Sequence, residues 1–233
     1  MEQNYELVIV NDTGEQSPND LSFVGGRPRI PKDIEIPRCK LCGNDQAFFF
    51  QVAFPANHKW ASKSMAVFAC ISCVDEKYFI PPMINGPLHN ALIPEGFLDE
   101  YQKNFNILVF QNDDAETRDD YPEKVVFKNI LMHKIIDNND SFMKLGVEAS
   151  WYLNDESPAK YGDGNEFFFL MQLPEDLEFE IIPGSPGQMK LDYFSNQIMP
   201  SNESFYRLFL ANYLYFFGVN SISGNKVYIF TQI

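Results

Sequence analysis

Four cysteines occur in this chain of 233 residues, and all of them fall in two C-x-x-C pairs: Cys39 and Cys42 in "IPRCKLCGND", Cys70 and Cys73 in "FACISC". No other feature constrains the fold as much. Two thiols separated by two residues in a tight turn point at one spot, and two such turns must then meet in space. The pairs stand 27 residues apart, further than a short ribbon needs. The sequence between them accounts for that distance. An apolar stretch runs out from Gln46 to Phe54, "PANHKWASK" turns, and a second stretch returns from Ser64 to Cys70. A hairpin with legs of similar length sets the second pair beside the first. Gly43 suits the tight turn after Cys42. Four thiolates then close a tetrahedral site with no open position, the pattern of a structural zinc ion.

Other uses of the thiols fit less well. A redox C-x-x-C opens a helix after the strand of a thioredoxin-like unit, and neither pair has that setting. Two disulfides suit a secreted chain, but "MEQNYELVIV" is acidic, lacks a basic n-region and has only a short apolar run. The reading is a cytoplasmic protein. An iron centre on the same four sulfurs stays open, because spacing alone does not separate it from zinc. His58 and His89 lie on either side of the second pair and read as ordinary surface residues. His133, within "ILMHKII", reads as a half-buried strand residue.

Aromatic residues make up 15% of the chain, chiefly 22 Phe and 11 Tyr, and with 15 Pro and 13 Gly they favour sheets and turns. Strands are expected over 5–10, 46–54, 64–70, 105–110, 124–136, 166–173 and 225–232. "IPEGFLDEYQKNF" predicts a helix: Pro94 and Glu95 mark a first turn, and Phe97, Leu98, Tyr101 and Phe105 recur at helical spacing. "FFGVNSISGNKVYIF" predicts a hairpin, while "ESFYRLFLANYL" fits helix or strand equally. A shift of 121 positions lays Gly25 on Gly146, Pro37 on Pro158, Gly43 on Gly164, Phe48 on Phe169 and Gln51 on Gln172. The expectation is an α+β, sheet-rich fold of two related halves, 1–112 and 121–233, in one compact unit. The zinc-ribbon-like four-cysteine hairpin belongs to the first half; Tyr161 stands near the matching place in the second. The acidic stretch 111–120 reads as a solvated linker, since it lacks the glycine and ligand spacing of a calcium loop.

The formal charge of −14 repels phosphate backbones, which argues against nucleic-acid binding; it would attract a basic partner, and it also simply keeps the chain soluble. The run "YLYFFGV" is too short to cross a membrane. No nucleophile elbow, P-loop or H-E-x-x-H is present, and "VGGRP" lacks the rest of a dinucleotide fingerprint. No catalytic residue is therefore assigned. The alternative to a binding protein is an enzyme with a carboxylate-based site in the cleft between the halves.

"FVGGRPRIPKDIEIPRCKLCGNDQAFFFQVAFP" followed by "MAVFACISC" resembles the first block of the YwqG-like family of bacterial proteins. It is also similar to the zinc-bearing region of the programmed cell death protein 2 family, where a "GGxP" segment precedes a C-x-x-C-G knuckle and a second cysteine pair. "PEGFLDEYQKNFNILVF" and "YFFG…VYIFTQ" resemble later blocks of such proteins. The resemblance implies an α+β fold of two related halves, with the metal site a subfamily feature and no catalytic residues to carry over. Some members of the first family neighbour bacterial toxin–immunity genes, and the second resembles chaperones for a ribosomal protein. The expectation is a zinc-stabilised protein-binding module of immunity or chaperone type.

Overall fold

The aromatic and β-branched runs become strands, and ten of these join in a single antiparallel sheet. In chain order they are β1 (Tyr5–Ile9), β2 (Phe23–Val24), β3 (Ala47–Ala53), β4 (Lys63–Ala69) and β5 (Phe105–Gln111). The remainder are β6 (Lys128–Lys134), β7 (Lys144–Leu145), β8 (Phe168–Leu173), β9 (Tyr213–Ser221) and β10 (Gly224–Gln232). Their spatial order is β10-β9-β8-β7-β1-β6-β2-β3-β4-β5. This computed structural model describes residues 3–11, 14–136, 141–192, 194–210 and 212–233.

The sheet curls until its two edge strands, β5 and β10, touch, giving a nearly closed barrel. Tyr101, just ahead of β5, pins this seam: its hydroxyl donates to Ile229 O on β10 at 2.5 Å and accepts from Ile229 N at 3.0 Å. Closure protects edges that would otherwise offer free backbone groups to other chains. Inside lies an aromatic core containing Phe49, Phe50, Phe105, Tyr206, Phe216 and Tyr228. Register shifts between Phe48 and Phe50 on β3, and between Phe169 and Met171 on β8, locally break the alternation of faces.

The fold is mostly β, not α+β. Among the described residues the only helical turns are two short 3-10 segments, Glu76–Tyr78 and Asn112–Asp114. The predicted helix at 94–105 is absent. Gly96 sits at φ +82°, and the N–H groups of Phe97 and Asp99 bond back three residues, to Pro94 O and Gly96 O. The chain turns there instead of continuing. Its apolar residues reach the core all the same, with Leu98, Tyr101 and Phe105 buried. The helical spacing was real, but it served a turn drawn to the seam by Tyr101.

The acidic stretch 111–120 is not a solvated linker. Ala115–Thr117 pairs antiparallel with Arg29–Pro31, and Arg118 is buried against the carbonyls of Pro31 and Ile34 while gripping Asp120. The next residue, Tyr121, is buried, and its hydroxyl accepts from Phe48 N at 2.7 Å. The segment straps a second apolar cluster, Phe23, Ile30, Phe48, Phe68 and Phe110, against the outer face of β2–β5. Its carboxylates face water while Ala115, Arg118 and Tyr121 face inward.

The ambiguous segment near 205 gives a short strand, Phe205–Arg207, then two left-handed residues, Phe209 and Leu210, before β9 begins. The C-terminal hairpin forms as predicted, with Ser221 opposite Gly224 across its turn. Among the described residues no helix is long and apolar enough to cross a membrane.

Candidate metal centre

β3 and β4 form the hairpin that the cysteine spacing required, with Ala47 opposite Ala69. The first pair lies just before β3 and the second just after β4, so both come to the same end of the hairpin. The first knuckle is closed by Cys39 N donating to Asn44 O at 2.9 Å and Gly43 N donating to Cys39 O at 2.8 Å. Gly43 takes φ +77°, a conformation that glycine adopts without cost. An Arg38–Asp45 bridge and ion pair of 3.0 Å clamps the base of this turn. The second knuckle hangs on Cys70 N donating to Asn104 O at 2.7 Å, and Ser72 N points at Cys70 Sγ, 3.3 Å away.

The four Sγ atoms lie within 4.8 Å of one another. Cys39–Cys73 measures 3.7 Å, Cys42–Cys70 3.6 Å and Cys70–Cys73 3.5 Å. A tetrahedron with Zn–S bonds near 2.3 Å has sulfur–sulfur edges of about 3.8 Å. The donor set therefore fits a tetrahedral ion, and all four cysteines are free thiols. Cys39 and Cys70 are buried whereas Cys42 is exposed, so the site is rooted in the core and open to water at one corner. The sequence reading missed the neutral groups that shape it: Asn44 closes the first turn and its Nδ2 lies 3.6 Å from Cys42 Sγ, while Asn104 holds the second.

Electrostatics favour a cation here. Burial pushes the Cys70 thiol up to about 11, and burial together with the neighbouring thiols pushes Cys73 far above its ordinary value. Burial also opposes ionisation of Cys42, but the Asn44 backbone N–H and the surrounding thiols outweigh it and lower its pKa. Four crowded thiolates repel one another, and a dication cancels that repulsion while holding the sulfurs at tetrahedral spacing.

The three histidines stand outside this cluster. His58 is not a surface residue: it is buried, stacked on Phe54 at 4.6 Å, and accepts from Trp60 N through Nδ1 at 3.0 Å. Its place in the turn between β3 and β4 puts it at the far end of that hairpin from the thiols. His89 is exposed and lies 3.4 Å from Asp155. His133 is on β6 as a strand residue but is exposed rather than half-buried, because β6 turns that position to solvent.

A cleft of about 660 Å³ does lie between the β3–β4 turn and residues 147–169. Glu148, Asp155 and Glu166 line it beside Lys59, Lys160 and Phe168. Asp155 stays strongly acidic: although burial opposes ionisation, the hydroxyl and N–H of Ser157 and the nearby His89 lower its pKa. That carboxyl suits an ion pair better than proton donation near neutral pH. No protein-family model matches the chain, and no curated protein matches it by sequence.

Proposed function

We propose that this chain is a cytoplasmic, zinc-stabilised protein-binding module of the YwqG-like kind, of immunity or chaperone type, with a basic partner. The spacing of the four sulfurs carries the metal part of the reading, since it matches the edges of a zinc–thiolate tetrahedron. A site with four protein ligands leaves no position for substrate, so the ion's role is to hold the hairpin end together. The charge of −14 supports a basic partner by steering it to the surface.

The same proposal takes the fold as a duplication. On β2–β3, Phe23 pairs with Gln51 and Val24 with Phe50; on β7–β8, Lys144 pairs with Gln172 and Leu145 with Met171, each 121 positions later. The buried Gln51 amide accepts from Arg29 N, and the buried Gln172 amide accepts from Ser150 N, again 121 later. β1 lies beside β7, and β6 beside β2, so each half's first strand completes the other half's sheet.

Elemental analysis of chain purified without chelator, beside a thiol titration, tests the metal. One zinc per chain with all four thiols masked until denaturation is expected; no metal and freely reacting thiols overturn it. Titration with a basic polypeptide at rising salt tests the partner class, which requires binding that weakens steeply as charge is screened.

A further inference from the structure

We infer that the four-cysteine cluster is a peroxide-sensitive thiol switch, in which Cys42 is the sulfur attacked and Cys70, on the other knuckle, closes a disulfide with it. The inference rests on the metal part of the proposed function and names how that site is opened. An oxidant reaches a thiol cluster through the sulfur that water reaches, and a neighbouring thiol then resolves the oxidised one. Cys42 is the one exposed cysteine of the four; Cys39 and Cys70 are buried and Cys73 is half-buried. The turn that carries Cys42, residues 40–45, faces solvent along its whole length.

The fold, not the spacing of the cysteines, selects the partner. By sequence alone each C-x-x-C would close on itself, Cys39 with Cys42 and Cys70 with Cys73. In the structure Cys70 Sγ lies 3.6 Å from Cys42 Sγ, although the two residues are 28 apart in the chain. Cys39 and Cys73 face one another in the same way at 3.7 Å, so both contacts cross between the knuckles. Cys70 and Cys73 also approach to 3.5 Å, but neither is open to solvent as Cys42 is. A disulfide holds its sulfurs at about 2.05 Å, so closure asks for a movement of about 1.5 Å. A cavity of about 60 Å³ beside Cys70 and Cys73 leaves the second knuckle room to shift.

The chemistry balances with hydrogen peroxide as the oxidant. The Cys42 thiolate attacks one peroxide oxygen, the O–O bond breaks, an S–O bond forms and hydroxide leaves, so that Cys42 becomes a sulfenic acid. The Cys70 thiolate then attacks that sulfur; the S–O bond breaks, the S–S bond forms and a second hydroxide leaves. The two sulfurs together give up two electrons, and the peroxide takes both. Cys39 and Cys73 remain, two donors short of a tetrahedral set, and the site no longer fits a bound ion. The disulfide joins the same two knuckles, which keeps the end of the β3–β4 hairpin tied without the ion. A thiol reductant reverses the change.

The test is hydrogen peroxide added to the unaltered chain in less than stoichiometric amount, with dimedone present in one sample to trap sulfenic acid and absent from another. Peptide mass spectrometry should find the dimedone adduct at Cys42, roughly tenfold ahead of the buried Cys39 and Cys70. The sample without dimedone should yield the Cys42–Cys70 disulfide. With one equivalent of peroxide, titratable thiols should fall from four to two and the ion should be released in step, both changes reversed by dithiothreitol with added zinc. An adduct that appears first at another cysteine overturns Cys42 as the point of attack. Any other first disulfide overturns the pairing across the knuckles, and four thiols that survive excess peroxide overturn the switch itself. A chain that carries no ion before peroxide is added overturns the zinc reading alone, since the adduct and the disulfide still decide the sulfur chemistry.

Discussion

The Asp163 carboxylate accepts a hydrogen bond from the backbone N–H of Ile222 at 3.1 Å, fastening the turn before β8 to the tip of the β9–β10 hairpin. The turn around it is built like the first cysteine knuckle. Gly164 takes φ +87° where Gly43 takes +77°, and Asn165 O accepts from Tyr161 N at 2.9 Å, one residue tighter than the bond from Cys39 N to Asn44 O. Asp163 follows Cys42 by the repeat offset of 121, and Ile222 lies four residues beyond Gly218 as Cys73 lies four beyond Ala69. Under the proposed duplication, one half gathers four thiols at its hairpin end, where the other has a carboxylate that accepts from backbone N–H groups.

The clasp has a pH signature. Burial alone would raise the Asp163 pKa, but the N–H of Asn165, the Ser221 hydroxyl and the N–H of Ile222 bring it down from 3.8 to about 2. A folded value below the unfolded one contributes stability that is complete above 3.8 and is lost as pH falls toward about 2. Melting temperatures followed from neutral pH down through this window should fall less steeply for Asp163→Asn than for the parent. Parallel acid limbs for the two proteins would remove the clasp from the account.

Cys39→Ser or Cys70→Ser takes away a buried ligand and should abolish stoichiometric metal while costing several kcal/mol in denaturant unfolding, since metal-binding energy is folding energy at a closed site. Chelation of the parent should reproduce the loss. Variants that melt like the parent would show that the hairpin end holds without the ion.

The β3–β4 hairpin and its thiol cluster were legible because cysteine spacing and strand length are local. The C-terminal hairpin was legible for the same reason. The segment at 94–105 misled because Pro94, Glu95 and an apolar repeat satisfy a helix pattern, while Gly96 and the pull of Ile229 on Tyr101 decide otherwise. The strap at 111–120 misled because its many carboxylates conceal the inward-facing Ala115 and Arg118 and the buried Tyr121 that follows. β2 and β7 are two residues each, too short to carry any period, yet they link the outer parts of the sheet to β1 and β6. The exposure of Cys42 went unmarked, since exposure is a property of the folded chain.

Gln51 and Gln172 are fully buried polar side chains, each holding a neighbouring loop to the sheet. Gln172 bonds Ser150 N at 2.7 Å and Ser150 O at 3.1 Å, whereas Gln51 reaches Arg29 N at 3.2 Å and Leu21 O at 3.3 Å. Replacement by alanine strands those backbone groups, at about 1–3 kcal/mol per site. The shorter bonds predict the larger loss for Gln172→Ala, read from urea unfolding midpoints. Negligible loss at both positions would mean that water satisfies the loops and that the glutamines are not what fixes them.

One buried hydroxyl bridges the seam of the barrel. Tyr101 spends both its donor and an acceptor on Ile229, the N–H at 3.0 Å and the carbonyl at 2.5 Å, within a site so dry that burial raises the phenol pKa well above its ordinary value. Tyr101→Phe keeps the ring packed against Phe105 and Tyr228 but leaves the N–H and carbonyl of an edge strand unmatched. The expected cost is about 2–3 kcal/mol. Hydrogen exchange should show where it falls: amides of β5 and β10 should open first, while those of β3 and β4 near the thiol cluster keep the parent's protection. Uniform loss of protection across the sheet would mean that the seam and the hairpin unfold as one unit, and unchanged protection would mean that packing alone closes the barrel.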